Sequence, residues 1–277
     1  MAMKRALIIR VCAIGDFILN LPALTSLHKL NPSVQFTLVG NEASLVLARD
    51  FIPVEDVYSI ESPPWSRLFY EALPDLEFDY AIVWMKDPNV AANLQLSGIP
   101  NVRRADPFPI YGHAAEHLLR TLKLERPELP DLWLPESEDI IIHPGSGSAK
   151  KVWPHFEALL KHVSTAVILR ESSNSRGASR SAEEGSQFRV LENVSLTQVS
   201  QYLRRCCAYI GNDSGITHLA AYLGCPTIAL FGPTDPRVWG PLGRRTRIIW
   251  KSRLEDITVD EVLLALHATH ARTRING

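Results

Sequence analysis

AYIGNDSGITHLAAYLGCPTIALF, residues 208–231, reads as a complete strand–turn–helix–strand unit. Residues 208–211 form a short β-rich run that stops at a Gly/Asn/Asp/Ser cluster, the composition of a tight turn. Residues 216–223 carry the small and apolar pattern of a buried helix, and residues 227–231 return to a strand. A strand, a helix and a second strand in this order make a crossover unit. That unit predicts parallel strands in a sheet with helices on both faces.

The rhythm extends in both directions. Residues 139–143 and 166–169 are expected as strands, and residues 155–163, 196–205 and 259–270 as helices. In the first half, strands fit residues 4–11, 35–39, 57–60 and 80–84, and helices fit 17–30, 42–49 and 114–124. Between the halves, residues 125–138 hold Pro127, Pro130 and Pro135, which neither a helix nor a central strand tolerates. This segment is the candidate linker. The expected organisation is two Rossmann-like domains, residues 1–135 and 136–277. Residues 171–187, ESSNSRGASRSAEEGSQ, are almost without apolar side chains and are expected as a surface loop.

Composition narrows the class. The chain has 277 residues, 46% apolar and 21% charged, which is an ordinary globular balance and excludes disordered and collagen-like chains. A formal net charge of -1 supplies no global basic field, so no nucleic-acid partner is expected. The opening residues read as a strand without a leader-like apolar region, and no apolar run reaches the ~18 residues of a membrane span. Cys12, Cys206, Cys207 and Cys225 lack C-x-x-C spacing and read as buried free thiols in a reducing compartment, so the expected location is cytoplasmic.

Ligands of open α/β sheets bind beyond the carboxyl ends of the strands. Three strand-to-helix turns there are polar and glycine-bearing. The first is Cys12-Ala13-Ile14-Gly15-Asp16, where Gly15 would permit a sharp turn. Asp16 reads either as a cap of the next helix or as a carboxylate able to accept a proton from an attacking hydroxyl. The second is HPGSGSAKKVWP, residues 143–154, whose small residues let backbone N–H groups approach phosphate while Lys150 and Lys151 supply positive charge. Its spacing is not that of a Walker A loop. The third is GNDSGITH, residues 211–218, a turn that opens a helix and aims its first N–H groups at one spot. His218 there reads as a packed group or, beside Asp213 and Ser214, as a phosphate or sugar contact. His113 and His117 have i, i+4 spacing, but no H-E-x-x-H accompanies them, so a helix surface is expected and no metal site.

Taken together, IIRVCAIGDFILNLPAL near the start, HPGSGSAKKVWP, and GNDSGITHLAAYLGCPTIALFGPTDP over residues 211–236 resemble glycosyltransferase family 9, the family of the heptosyltransferases of lipopolysaccharide core assembly. The resemblance implies two Rossmann-like domains facing across a cleft, the glycosyltransferase B fold. The N-terminal domain would bind the acceptor and the C-terminal domain the nucleotide sugar. It further implies an inverting transfer without cofactor or metal, from a nucleotide diphosphate sugar such as ADP-heptose to a lipopolysaccharide-core or other surface glycan. By position, Asp16 matches the family's general base. Ser146, Gly147 and Lys151 match the first donor-binding turn, with Lys151 stabilising charge on the leaving group. Asp213, Ser214, Gly215 and His218 match the second. Leu196 falls where a residue packs on the nucleotide base.

The chain also departs from the family. A ribose-binding glutamate is usual after the strand at 166–169, where Glu171 stands here at the start of the polar loop. Arg10 replaces a common lysine, and the chain is shorter on the acceptor side. Two alternatives remain at this point: a nucleotide-sugar-binding protein without transferase activity, and a sugar-nucleotide epimerase of the same architecture. A glycolipid acceptor implies peripheral contact with the cytosolic face of the inner membrane, with Arg103, Arg104 or the basic residues between Arg244 and Arg253 as candidates.

Overall fold

The computed structural model describes residues 4–170 and 188–275, with side chains through residue 269. Residue contacts divide the chain into two compact units, Met1–Glu128 and Leu129–Gly277.

The first unit holds a five-stranded sheet of β1 (Arg5–Arg10), β2 (Gln35–Gly40), β3 (Val54–Ser59), β4 (Tyr80–Trp84) and β5 (Val102–Ala105). Its order is β3-β2-β1-β4-β5 and every pairing is parallel. The second unit holds β6 (Ile140–His143), β7 (Ala166–Arg170), β8 (Arg189–Glu192), β9 (Ala208–Asn212), β10 (Thr227–Phe231) and β11 (Thr246–Trp250), again all parallel, in the order β11-β10-β9-β6-β7-β8. Each sheet therefore starts in its middle, winds to one edge, then returns to the middle and winds to the other. This doubly wound order creates a switch point beside the first strand of each sheet, between β1 and β4 and between β6 and β9.

Burial explains why the central strands were legible. Ala6, Leu7, Ile8 and Ile9 of β1 are at most 1% exposed, because helices cover both faces of a parallel sheet and leave no polar side. In the first unit Leu7, Ile9, Val39 and Val83 pack with Trp65, Leu68 and Leu94. In the second, Ile140, Ile142, Ile210 and Leu230 pack with Trp153, Phe156, Val262 and Leu266. Trp153 is 1% exposed and donates its indole N–H to the Ile257 carbonyl at 2.9 Å. Truncating such a side chain costs about 3–5 kcal/mol.

Three strands escape the sequence reading: β5, β8 and β11. All are edge strands without a fully buried residue, and charged side chains interrupt their short sequences VRRA, RVLE and TRIIW. Helix Asn89–Leu96 also goes unpredicted. The helix expected over 17–30 is two helices, Ile14–Ile18 and Leu21–Leu30, the second with Pro22 in its first turn, where a missing N–H costs nothing. The helix expected over 42–49 is a single turn, Glu42–Leu45, running into a 3-10 segment, Val46–Asp50.

The proline-rich segment does not hang free. Leu132, Leu134 and Glu136 donate their N–H groups to the carbonyls of Leu223, Arg204 and Arg205 at 2.8–2.9 Å, the period-two pattern of an extended chain. Trp133 donates its indole N–H to the Cys206 carbonyl at 2.8 Å, and Arg245 grips both Asp131 oxygens at 2.7 and 2.9 Å while lying over the Trp133 ring. Pro135 falls between the donating positions, where it forfeits no bond. Residues 131–137 are thus a strap on the second unit, and the division falls after Glu128.

All four cysteines are free. Cys206 and Cys225 are buried with sulfurs 3.5 Å apart, whereas Cys12 and Cys207 are only partly covered, against the expectation that all are buried. Among the described residues no helix is long and apolar enough to cross a membrane.

Candidate functional site

In the second unit the switch point brings together the turns that follow β6 and β9, because those strands are direct neighbours. The β6 turn carries Ser146 and Gly147 and then a 3-10 turn, Ala149–Lys151, whose N-terminus is capped by Ser148. The β9 turn carries Asp213 and Ser214 and opens helix Gly215–Tyr222, with Ser214 as N-cap accepting from the Thr217 N–H. The two turns are joined directly. Ser146 Oγ donates to the Asp213 carbonyl at 3.0 Å, and Lys151 Nζ forms an ion pair with Asp213 Oδ2 at 2.7 Å. The Lys151 side chain is 34% exposed and that of Asp213 9%, so the pair is shielded on the aspartate side and open on the lysine side.

The arrangement is suited to an anion. The first N–H groups of a helix have no intrahelical partner and carry its positive end. Here they stand beside an ammonium group. Gly147 is exposed, and a Cβ at that position would meet nothing within 4 Å. The protein's own packing does not require a glycine there, and its lack of a side chain leaves room for a ligand. Gly145 differs, because a Cβ there would sit 2.8 Å from His143 Nε2.

Beneath the turns lies a buried polar foundation that the sequence reading missed. Asn212, fully buried at the end of β9, accepts from the Trp153 N–H at 2.9 Å and donates to the Pro144 carbonyl at 2.8 Å. One amide thereby holds both ends of the β6 turn. His143 Nδ1 lies 3.3 Å from Tyr209 Oη and 3.3 Å from Ser214 Oγ, and Tyr209 Oη lies 3.0 Å from Thr217 Oγ1. Thr217 in turn donates to the Asn212 carbonyl. Burial holds His143 neutral, with its pKa pushed down to about 4, and pushes the Tyr209 phenol well up. The available signal was the position of His143 and Asn212 as the last residues of two adjacent central strands, where a polar side chain must have an internal partner.

His218 is 5% exposed, in the first turn of helix Gly215–Tyr222. Leu196 opens helix Leu196–Arg205 after β8, two strands from β6 and at the same carboxyl edge of the sheet. Glu171 and the loop over 171–187 lie outside the described residues. His113 and His117 serve separate ends: His113 caps helix Ala114–Leu122 through the Ala115 N–H, and His117 Nε2 lies 2.7 Å from the Asp106 carbonyl.

In the first unit Asp16 lies beyond the carboxyl end of β1. It is not a helix cap. The N-cap of helix Ile14–Ile18 is Ala13, Gly15 lies within the helix rather than in a turn, and Asp16 sits in its first turn, where the helix dipole favours a carboxylate. Arg10, the last residue of β1, is 4% exposed and donates through Nε to Asn20 Oδ1 at 3.1 Å. Burial pushes the Cys12 thiol up to about 12, with Arg10 opposing that rise and Asp16 adding to it, so the three side chains share one electrostatic neighbourhood.

Comparisons with known proteins bear on the family and on the fold. The family model described as glycosyltransferase family 9 (heptosyltransferase) matches residues 104–264. Lipopolysaccharide heptosyltransferase 1 of Pseudomonas aeruginosa is 25% identical, over 87% of this chain and 82% of the relative. The E. coli heptosyltransferase WaaC with ADP aligns at a TM-score of 0.75 with 22% identity, covering 96% of this chain and 99% of that one. The E. coli ADP-heptose lps heptosyltransferase II aligns at 0.77 with 20% identity, covering 98% and 99%. At such identities the structures speak for the fold, an α/β architecture with two parallel sheets in the glycosyltransferase B class. With the family model spanning more than half of its length, the chain belongs to glycosyltransferase family 9, the heptosyltransferases.

Proposed function

We propose that this enzyme moves a heptose from ADP-heptose to a lipopolysaccharide-core or other surface glycan, inverting the anomeric centre without a metal ion. The observation that carries the reading is the junction of the β6 and β9 turns, where Ser146, Lys151 and Asp213 are tied together at a helix N-terminus. ADP-containing relatives of the same fold support the choice of nucleotide.

In this reading the second unit binds the donor. Backbone N–H groups near Ser146, Gly147, Ser214 and Gly215 receive the diphosphate, and Lys151 turns part of its charge from Asp213 to the phosphate. Asp213 and His218 contact the transferred sugar, Leu196 packs on the base, and Glu171 meets the ribose. The first unit binds the acceptor. Asp16 takes the proton from the acceptor hydroxyl as that oxygen attacks the anomeric carbon. The bond from that carbon to the phosphate oxygen breaks on the opposite face, and its electron pair leaves with ADP. Lys151 and the N–H groups stabilise the negative charge that develops there; losing one such donor typically raises a barrier by about 2.7–4 kcal/mol.

A calorimetric panel of ADP, UDP, GDP and CDP without added metal tests the donor. Tight binding of ADP and weaker binding of the others is expected. Preference for another nucleotide would refute the ADP-heptose reading.

A further inference from the structure

We propose that the loop after β5 is a docking surface for an anionic lipid bilayer, holding the carboxyl edge of the first unit against the membrane. The inference rests on the reading above only in taking the acceptor to be lipid-anchored.

The loop sequence is PFPIYG, residues 107–112. Phe108 is 45% exposed, Ile110 94% and Tyr111 71%, and Ile110 is the most exposed large apolar side chain among the described residues. Single exposed apolar groups are ordinary, but three within four consecutive residues make a continuous apolar tip. The tip is held open by its own bonds. Asp106 accepts from the Phe108 N–H at 2.9 Å, His117 bonds the Asp106 carbonyl, and Arg120 donates to the Tyr111 carbonyl at 3.1 Å. Gly112 takes a positive φ of 73° that few other residues adopt. These bonds present the apolar groups to solvent instead of letting them fold inward.

Cations ring the tip. Lys86 Nζ lies 4.9 Å from the Phe108 ring centre, and the Arg120 guanidinium lies 4.9 Å from that of Tyr111. Arg104 is exposed nearby, bonded to the Lys86 carbonyl at 2.9 Å. The neighbouring acids are engaged locally: Asp106 and Asp87 accept from backbone N–H groups, and Glu116 pairs with Arg126 at 3.2 Å. Apolar side chains flanked by aromatic rings and cations match the layering of an anionic bilayer surface, with acyl chains below and phosphates at the level of the charges.

Topology gives the surface a purpose. The order β1-β4-β5 is parallel, so the loop after β5 leaves the same edge of the sheet as the segment carrying Asp16. Two strand spacings separate β5 from β1, roughly 10 Å. A sugar carried by lipid in that bilayer is presented to the edge where Asp16 stands.

The test is co-sedimentation of the full chain with phosphatidylcholine vesicles, with and without phosphatidylglycerol, alongside ADP calorimetry. The parent protein should sediment with the anionic vesicles. Ile110→Ser with Tyr111→Ser should weaken this about tenfold or more, and Lys86→Gln with Arg104→Gln by about fivefold per charge. ADP affinity should not change in any of them, since these side chains lie in the first unit. Vesicle binding that persists in the Ile110/Tyr111 variant would overturn the proposal. So would a parent that ignores anionic vesicles, or self-association abolished by Ile110→Ser in place of vesicle binding. Vesicle binding without ADP binding would keep the docking surface and remove the donor reading, so the two fail separately.

Discussion

Replacing Asn212 with Asp changes one atom's chemistry and little else in shape, so it asks whether this amide holds the β6 turn. In the parent, Oδ1 accepts from the Trp153 N–H at 2.9 Å and Nδ2 donates to the Pro144 carbonyl at 2.8 Å. The introduced carboxylate, when ionised, keeps the first bond but sets an oxygen against the Pro144 oxygen, in a fully buried position. Only the protonated acid can still donate. Burial without a cation raises a carboxyl pKa by up to about 3–5 units above its ordinary value near 3.9. Between those two values the unfolded chain releases a proton that the native chain retains. Native stability of Asn212→Asp should therefore fall as pH rises, by about 1.4 kcal/mol per pH unit. From pH 5 to pH 7 that is about 2.7 kcal/mol relative to the parent, a large part of a typical total of about 5–15 kcal/mol. Urea unfolding of both proteins across this range measures the difference, and ADP calorimetry on the same samples reads the turn itself. Affinity of the folded protein should stay near the parent's at both pH values, because the native carboxyl keeps the proton that lets it donate to the Pro144 carbonyl, and should fall only above its raised pKa. A stability difference that does not vary with pH, or ADP affinity already lost at pH 5, would refute the clamp.

Three further predictions concern other side chains of the site. Asp16→Asn should abolish sugar transfer while donor affinity stays near the parent's, whereas Lys151→Ala should weaken ADP binding and slow turnover together, the latter by roughly 100-fold or more; transfer kinetics and calorimetry on both separate the roles, and full activity in Asp16→Asn would remove it as the base. His143 is buried neutral with its pKa near 4 against 6.5 unfolded, so it costs nothing above pH 6.5 and destabilises progressively as pH falls toward 4, by about 3 kcal/mol in all; His143→Gln should flatten that acid limb in urea unfolding, and an unchanged limb would show that His143 does not govern it.

The reading of residues 208–231 holds in the structure because its signals are local: an apolar run, a turn cluster and a helix-length apolar pattern are each set by nearby residues. The same is true of the central strands, whose burial on both faces leaves an unbroken apolar record. Family membership was legible for a related reason, since the three polar turns keep their order and spacing. Edge strands such as Val102–Ala105 and Arg189–Glu192 were not legible, because a strand with one open side need not be apolar.

Which turns meet is a matter of folding. Residue patterns alone put Ser146, Lys151 and Asp213 beside strand ends, but their contact depends on β6 pairing with β9, a neighbour 68 residues away along the chain (His143 beside Gly211). Packing likewise settled that residues 131–137 lie as a strap along the second unit and that Asn212 faces inward between two backbones. Each is a contact between distant segments, and a local residue pattern carries no record of its partner until the chain has folded around it.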